Sequence, residues 1–239
     1  MKYLTFSTGN LYKEMPPYDI DGCISFLRGL DLDIDGYMLS LMVYDDLNVL
    51  KLSDSTLKYL NGMRFNSIHA PVVDFSRDEK TRVLLNQLKE LYDDVGAKQI
   101  VFHPYRIKDS SVLKDIRMKC AIEFMRPQKN IELRYYDSLL KKHKWLYFAQ
   151  DICHAAQFSN DSIKKAFSMF KDRTSQVHIS FADKGGFHRP MYEADRDFLD
   201  AAECMKNLEV EFCIEANISK PEEIKKEAAF CRKWLNNEV

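Results

Sequence analysis

Histidine and acidic residues recur along this sequence at the carboxyl ends of short apolar segments. Six of them can ligate a divalent cation: His69, His103, Glu123, Asp151, His178 and Glu215. A carboxylate at the end of a buried segment costs several kcal/mol unless it is paired or coordinated. We therefore expect these groups to share one or more cations. Carboxylate oxygens together with imidazole nitrogens suit Zn²⁺, Mn²⁺, Fe²⁺ or Co²⁺.

Two further histidines extend this set. His154 comes three residues after Asp151 in the segment QDICHA, and His188 follows the segment ADKGGF beyond His178. Each is a candidate metal ligand, with a substrate contact or a hydrogen bond at the rim as the alternative. His143, in the basic segment KKHK, is expected at a solvated helix end.

Eight short apolar segments precede or contain these residues. Their length and their content of β-branched and aromatic residues are typical of strands buried on both faces. The predicted strands are residues 2–7, 36–42, 65–69, 99–103, 119–125, 145–151, 174–180 and 209–215. Amphipathic patterns predict helices at residues 79–95, 131–142, 162–170 and 221–235. Loop and helix cannot be distinguished by pattern after residues 7 and 42, nor at 105–118 and 182–193.

The alternation of strand and helix predicts a parallel sheet with right-handed crossovers. Eight strands in 239 residues favour a closed (β/α)₈ barrel, the TIM barrel, over an open doubly wound sheet. No glycine-rich dinucleotide or P-loop motif follows a predicted strand, which removes the main support for nucleotide sites of those kinds. No linker interrupts the pattern, so we expect residues 1–239 to form one domain with the strand-end side chains converging at one mouth.

Composition and charge limit the classes of partner. Hydrophobic residues make up 46% of the chain and charged residues 30%, which is enough apolar material for a large core. The formal net charge of −1 supports neither nucleic acid nor an anionic membrane as a partner. No apolar run approaches the roughly 20 residues of a membrane span. The six cysteines include no CxxC pair, so we expect free thiols and a cytoplasmic protein.

Seven motifs follow one another between about Phe65 and Glu215: IHAP, VFHP, AIEFM, QDICHA, VHIS, FHRP and CIEAN. This order resembles the xylose-isomerase-like barrel superfamily, which includes endonuclease IV and many sugar isomerases and epimerases. The order of the motifs is far more specific than any one of them. The resemblance implies divalent metal ions as cofactors, zinc or manganese, with one to three ions per chain.

The broadest resemblance is to endonuclease IV. Its second metal site corresponds to His69 and His103 with Glu123 bridging, and its third to His154 and His188. Two-metal sites suit in-line attack of hydroxide on a phosphoester, because the ions stabilise the entering and leaving oxygens. The resemblance therefore makes a metal-dependent phosphoester hydrolase, acting on a sugar phosphate or a nucleic-acid-derived substrate, the leading hypothesis.

Epimerases of this superfamily suggest a different reaction with fewer ions. Here the resemblance implies a single metal with four ligands: Glu123, Asp151, His178 and Glu215. Glu123 and Glu215 would also be the catalytic residues, because they would exchange protons with the carbon next to a carbonyl that the ion polarises. A sugar or sugar phosphate isomerase or epimerase is therefore the alternative hypothesis.

The sequence departs from the endonuclease pattern at several positions. Gly186 stands where that family has an Asp of the third site, with Asp183 the only nearby substitute, and Phe181 replaces another usual Asp. The aromatic wedge expected after His69 is absent. These departures disfavour cleavage of abasic DNA and favour a smaller phosphorylated substrate. They also keep a non-catalytic metal-binding barrel as a third hypothesis.

Several residues after the strands are candidates for binding phosphate or sugar: Tyr105, Arg106, Arg126, Lys184 and Arg189. Their position near the predicted mouth is the reason to name them, since a lone surface cation is usually solvated. The expected partner is thus a small phosphorylated or sugar substrate. Exact substrate, metal number and oligomeric state are left open by the sequence.

Overall fold

The computed structural model describes residues 1–16, 18–114, 116–126, 132–183 and 186–239. Ten strands lie in these ranges: β1 Tyr3–Ser7, β2 Gly36–Ser40, β3 Asn66–His69, β4 Ala97–Phe102, β5 Cys120–Glu123, β6 Tyr147–Asp151, β7 Thr174–Ile179, β8 Phe181–Asp183, β9 Gly186–Arg189 and β10 Glu211–Ile214. Nine α-helices lie in the same ranges: α1 Ile20–Gly29, α2 Tyr44–Val49, α3 Asp54–Gly62, α4 Glu79–Asp94, α5 Leu133–Lys142, α6 Ile152–Ala156, α7 Asn160–Phe170, α8 Arg196–Ala202 and α9 Pro221–Leu235.

Eight of the strands close into a parallel barrel in the order β1, β2, β3, β4, β5, β6, β7 and β10. Closure occurs between β1 and β10, where Tyr3 lies beside Glu211 and Phe6 beside Ile214. The predicted (β/α)₈ barrel is therefore confirmed. Most strands are shorter than predicted, because apolar residues such as Leu41 remain buried after ladder pairing has ended.

Helix α4 illustrates how local chemistry sets the boundaries of an element. It begins where the side chain of Asp78 accepts a hydrogen bond from the backbone N–H of Thr81. Leu84 and Leu88 are buried on the face that packs against the barrel. Beyond the helix, Gly96 adopts φ +60°, a conformation that a side chain disfavours. The predicted end of this helix is confirmed.

The helical predictions were incomplete. The structure contains helices close to the predictions at α4, α5, α7 and α9, although residue 131, the predicted start of α5, lies outside the described residues. The segments after residues 7 and 42, which the sequence pattern could not assign, contain helices. Helix α1 follows β1, and helices α2 and α3 follow β2. Helix α1 escaped the pattern because Gly22, a weak helix former, lies in its first turn, where the side chain of Asp19 caps the helix by accepting from the Gly22 N–H.

The open link after β7 forms an antiparallel hairpin of β8 and β9. Phe181 pairs with Arg189, and Asp183 pairs with Gly186. The hairpin carries His188 to the mouth of the barrel with φ +54°, which is unusual for a residue with a side chain. A 3₁₀ turn, Met191–Glu193, follows.

The main hydrophobic core lies between the barrel and the surrounding helices. Aromatic contacts such as that between Phe212 of β10 and Trp234 of α9, with ring centroids 6.3 Å apart, join the two layers. All six cysteines are free thiols and five are buried. Within the part of the chain that the structure describes, no helix has the length and apolar character to cross a bilayer.

The lumen of the barrel contains a fully buried carboxylate, Glu211 of β10. One oxygen accepts hydrogen bonds from the hydroxyls of Thr5 at 2.6 Å and Ser67 at 2.7 Å. The other accepts from the amides of Gln99 at 2.7 Å and Gln176 at 2.8 Å. A single side chain thus connects β10 with β1, β3, β4 and β7, with the carboxylate fully satisfied inside the barrel.

We predict that Glu211→Gln lowers the free energy of unfolding by about 3 kcal/mol, because the new amide N–H groups would face donors that lose their acceptor. Urea unfolding followed by circular dichroism measures this change. Glu90→Gln, at an exposed position of α4, serves as the control and should change stability by less than about 0.5 kcal/mol. Equal stability of the two variants would contradict the role given to Glu211.

We also predict a pH dependence that originates at Glu227 of α9. Burial raises the pKa of this carboxyl to about 7, although it accepts the Met191 N–H. Because the folded pKa lies above the unfolded value, its stabilising contribution is complete below about pH 4.5 and is lost once the pH has risen through about 7. Between pH 5 and 8, the wild type should lose about 2 kcal/mol of stability relative to Glu227→Gln. Parallel pH profiles of urea unfolding for the two proteins would disprove this.

Candidate metal centre

The barrel topology brings the strand-end ligand candidates to one mouth. Strands β3, β5 and β6 end at His69, Glu123 and Asp151, and His178 is the penultimate residue of β7. The other two strand-end candidates directly follow β4 and β10. Because all eight strands run parallel, these side chains share one rim of the barrel, where barrels of this kind build their active sites.

The eight residues proposed as ligands form three groups, and within each group the candidate ligand atoms lie within 4.8 Å of one another. Two ligands on opposite sides of one cation are about 4 Å apart, so each group has roughly the spacing of a metal site. We define the groups as follows: the central group, Glu123, Asp151, His178 and Glu215; the first flanking group, His69, His103 and Glu123; and the second flanking group, Asp151, His154 and His188.

Glu123 lies where these groups meet. Its carboxylate oxygens are within 3.5 Å of ring nitrogens of four histidines: His103 at 2.8 Å, His69 and His178 at 3.4 Å and His154 at 3.5 Å. Burial by itself would raise the pKa of Glu123, but these neighbours, His103 above all, lower that pKa well below its usual range. Glu123 is therefore an ionised carboxylate that bridges two groups.

The central group contains buried polar atoms that lack a hydrogen-bond partner. Among the described residues, Oδ2 of Asp151 and both ring nitrogens of His178 have none. Oε2 of Glu215 lies 3.1 Å from Nδ1 of His178, but in a direction that does not make a hydrogen bond. Such unsatisfied buried groups are costly, and a cation with oxygen and nitrogen ligands would satisfy Oδ2 of Asp151 and one ring nitrogen of His178 together. The donor set thus fits a divalent metal.

The electrostatics of the central group indicate the same need for positive charge. Against burial, the contact with Glu215 raises the pKa of His178 well above its usual range. In return, although burial opposes it, His178 lowers the pKa of Glu215 to about 2. Burial raises the pKa of Asp151 to about 7. A proton on His178 and a divalent cation compensate the same carboxylates, so cation binding should release protons.

In the first flanking group, hydrogen bonds orient the two imidazoles. Nδ1 of His69 lies 3.1 Å from the carbonyl oxygen of Ala70, and Nδ1 of His103 lies 3.3 Å from the hydroxyl of Tyr105. Both Nε2 atoms face Glu123. Fixing one ring nitrogen in this way leaves the other positioned to bind a metal.

In the second flanking group, hydrogen bonds to backbone carbonyl oxygens also orient the two imidazoles. Nδ1 of His154 lies 2.9 Å from the carbonyl oxygen of Phe124, and Nδ1 of His188 lies 2.9 Å from that of Glu215. The backbone N–H of His188 donates to Sγ of Cys153 at 3.1 Å. Cys153 helps to hold the unusual backbone of His188, a role that no sequence motif indicated.

Gly186 stands where the resemblance to endonuclease IV places a further ligand of the second flanking group. A side chain at Gly186 would contact nothing within 4 Å. Asp183, the nearest substitute, forms an ion pair with Arg189 instead. Among the described residues, this group therefore has the three candidate ligands named above.

A cavity of about 330 Å³ opens above the metal groups. Neutral polar side chains contribute much of its wall: Ser7, Asn10, Tyr12, Ser40 and Asn217. Sequence patterns did not single out these residues, although Ser7 ends a predicted strand and Ser40 lies within one. A larger groove of about 880 Å³ lies beside α4 and contains none of the candidate ligands.

The candidates for substrate binding divide between the cavity and the outer surface. Tyr105 and Arg126 line the cavity. Arg106 does not, and its guanidinium lies 3.0 Å from Asp74. Arg189 also lies outside the lining, paired with Asp183 and with Glu193. Lys184 lies outside the described residues.

Comparisons with solved structures identify barrels of similar architecture. A D-tagatose 3-epimerase-like protein has a TM-score of 0.64 at 15% identity, over 99% of this chain and 98% of that one. The probable 3-DHS dehydratase AsbF from Bacillus anthracis has a TM-score of 0.68 at 14% identity, over 97% and 99%. A xylose isomerase domain containing protein from Salmonella typhimurium has 0.64 at 13%, over 98% and 97%.

At these low sequence identities, the comparisons show a similarity of fold alone. The resemblance to xylose-isomerase-like barrels that the motifs predicted is confirmed at that level. No protein-family model matches the sequence, and no curated protein matches it either.

We predict that Glu123→Gln removes most bound metal, because the change takes a negative charge from two groups at once. The loss of zinc affinity should exceed the about 10–100-fold typical of removing an outer-shell partner. Elemental analysis after gel filtration measures the ions retained per chain. The control is His143→Gln, a substitution that leaves all three groups intact. If both variants retained equal zinc, Glu123 would not be a ligand.

Proposed function

We propose that this protein is a metal-dependent enzyme that isomerises or epimerises a small polyhydroxylated carbonyl compound. The observation that carries the proposal is the central group. There, two ionised glutamates, Glu123 and Glu215, flank His178 at the floor of a cavity walled by hydroxyl and amide groups. The candidate ligand oxygens of Glu123 and Glu215 lie within 4.8 Å of each other.

Each element of this arrangement has a use in such a reaction. A bound cation would supply polarisation of the substrate carbonyl, which makes the adjacent C–H more acidic. Glu123 and Glu215 both have lowered pKa values, so each is present as the unprotonated carboxylate, the form that a general base requires. In epimerisation, one glutamate removes the proton and the other, after taking up a proton from solvent, protonates the opposite face of the carbon and so inverts it. In isomerisation, the proton returns to the neighbouring carbon while a hydroxyl proton passes between the two oxygens, which moves the carbonyl.

The cavity matches a small polar ligand. Its volume of about 330 Å³ is at the lower end of small-molecule sites. Side chains such as Asn10, Ser40 and Asn217 can exchange hydrogen bonds with sugar hydroxyls. Among the lining residues that the structure describes, Arg126 is the only lysine or arginine, which does not suit a polyanionic nucleic acid.

The similar structures favour this proposal over the leading hypothesis from the sequence. They include an epimerase-like protein, a probable dehydratase and a xylose isomerase domain protein. Isomerisation or epimerisation, the alternative from the sequence, is thus better supported than endonuclease-IV-like hydrolysis.

Phosphoester hydrolysis is kept as a second candidate because of the two flanking groups. An epimerase with one ion has no need for His69 and His103 as ligands, nor for His154 and His188. Several ions close together suit in-line displacement at phosphorus. Two or more ions per chain, together with cleavage of bis(p-nitrophenyl) phosphate, would favour this second candidate.

We predict that the metal-loaded protein exchanges the hydrogen next to the carbonyl of a ketose with solvent deuterium, and that Glu215→Gln slows the exchange by about 100-fold or more. Proton NMR of a ketose panel in D₂O measures the exchange. The matched control is Glu222→Gln, in the exposed first turn of α9.

Three results would count against the proposal. Exchange at the wild-type rate in Glu215→Gln would remove that carboxylate from the reaction. Absence of exchange with every ketose, combined with phosphodiester cleavage, would replace isomerisation by hydrolysis. Inactivity in both assays would leave the metal-binding barrel without catalysis.

A further inference from the structure

Arg126 lies at an unusual place for an arginine. It is three residues beyond Glu123, half-buried, and lines the wall of the cavity above the metal groups. Three residues of extended chain span at most about 10 Å. The backbone of Arg126 therefore lies within about 10 Å of the backbone of Glu123, and both side chains line the same cavity.

No carboxylate in the described part of the chain pairs with Arg126, in contrast to the other arginines near the mouth. Arg106 pairs with Asp74, and Arg189 pairs with Asp183 and Glu193. A half-buried guanidinium without a counter-charge retains its full set of N–H donors for a ligand.

An aromatic ring holds this guanidinium in place. Cζ of Arg126 lies 5.0 Å from the ring centroid of Phe187 in β9, the contact distance of a cation–π interaction. Phe187 also lines the cavity and is 43% exposed, which is high for a phenylalanine. The ring uses only a face of the guanidinium, so its N–H edge remains available for bidentate hydrogen bonds.

We propose that Arg126 and Phe187 form an anion subsite, so that the substrate carries a carboxylate or phosphate at the end opposite its reacting carbonyl. This inference rests on the proposed function for the rest of the ligand. Hydroxyl and amide groups of the wall bind the sugar chain, and the guanidinium binds the anionic end with paired charge-assisted hydrogen bonds. The substrate class is an anionic sugar, a sugar acid or a sugar phosphate.

Isothermal titration calorimetry of the metal-loaded protein tests the subsite without requiring turnover. The ligands are D-fructose, D-fructose 6-phosphate and D-fructuronate, which differ only at the end remote from the carbonyl and distinguish phosphate from carboxylate. At least one of the two anions should bind about 10-fold tighter than fructose. The difference should shrink at high salt.

Variants separate the guanidinium from the metal as the source of this preference. Arg126→Gln should weaken binding of the preferred anion about 10-fold and leave fructose unchanged, while Arg126→Lys should retain part of the preference. Arg134→Gln, which removes an exposed arginine of α5, is the control and should retain all of it. Metal content and thermal unfolding confirm that each variant is folded and loaded.

The possible outcomes separate this inference from the proposed function. Equal affinity for the three ligands, binding of none, or an anion preference that survives in Arg126→Gln would overturn the subsite. Conversion of the anionic ligands unaffected by Arg126→Gln would support the proposed function and overturn the subsite. An Arg126-dependent preference without conversion of any ligand would support the subsite while the proposed reaction fails.

Discussion

The compensation of one buried negative charge organises the mouth of this barrel. Glu123 lies among ring nitrogens of four histidines that come from β3, from β7 and from positions after β4 and β6. A carboxylate in this position is tolerable only with positive charge around it. Among the histidines, His69 and His178 have raised pKa values and can provide that charge, and a cation bound at Asp151 and His178 would add to it. The three groups are therefore parts of one electrostatic unit.

The barrel supplies the precision that this unit needs. Asp151 of β6 lies beside His178 of β7 in the ladder, and Cys213 of β10 lies beside His178 on the other side. Glu215 is two residues further along and points to the same face. A shift of one residue in either register would turn these side chains out of the lumen.

Glu211, deeper in the lumen, helps to prevent such a shift. Its hydrogen bonds connect strands that are not neighbours in the barrel wall, so they constrain the wall from within. Barrels of this class usually fill their interior with branched apolar residues. Here a hydrogen-bonded carboxylate occupies that place, and small residues such as Ala121 and Ala149 surround the lumen beside it.

The spacing of apolar segments and strand-end ligands was enough to predict the barrel and the convergence of the eight ligand candidates. Both depend on a repeating local pattern, strand then helix, whose geometry is the same in every such barrel. The surroundings of the arginines could not be predicted in the same way. Arg106, Arg126 and Arg189 look alike in the sequence, yet one lines the cavity and two pair with carboxylates on the outer surface.

The sequence by itself therefore determined the fold class and which side chains meet at the mouth. Only the tertiary structure decided which ring nitrogen each histidine presents, which arginine lines the cavity and how Glu211 is satisfied. The physical reason is that hydrophobic periodicity is a local property, whereas these pairings join residues far apart in the chain. Thr5 and Glu211 are an example, because only closure of the barrel brings them together.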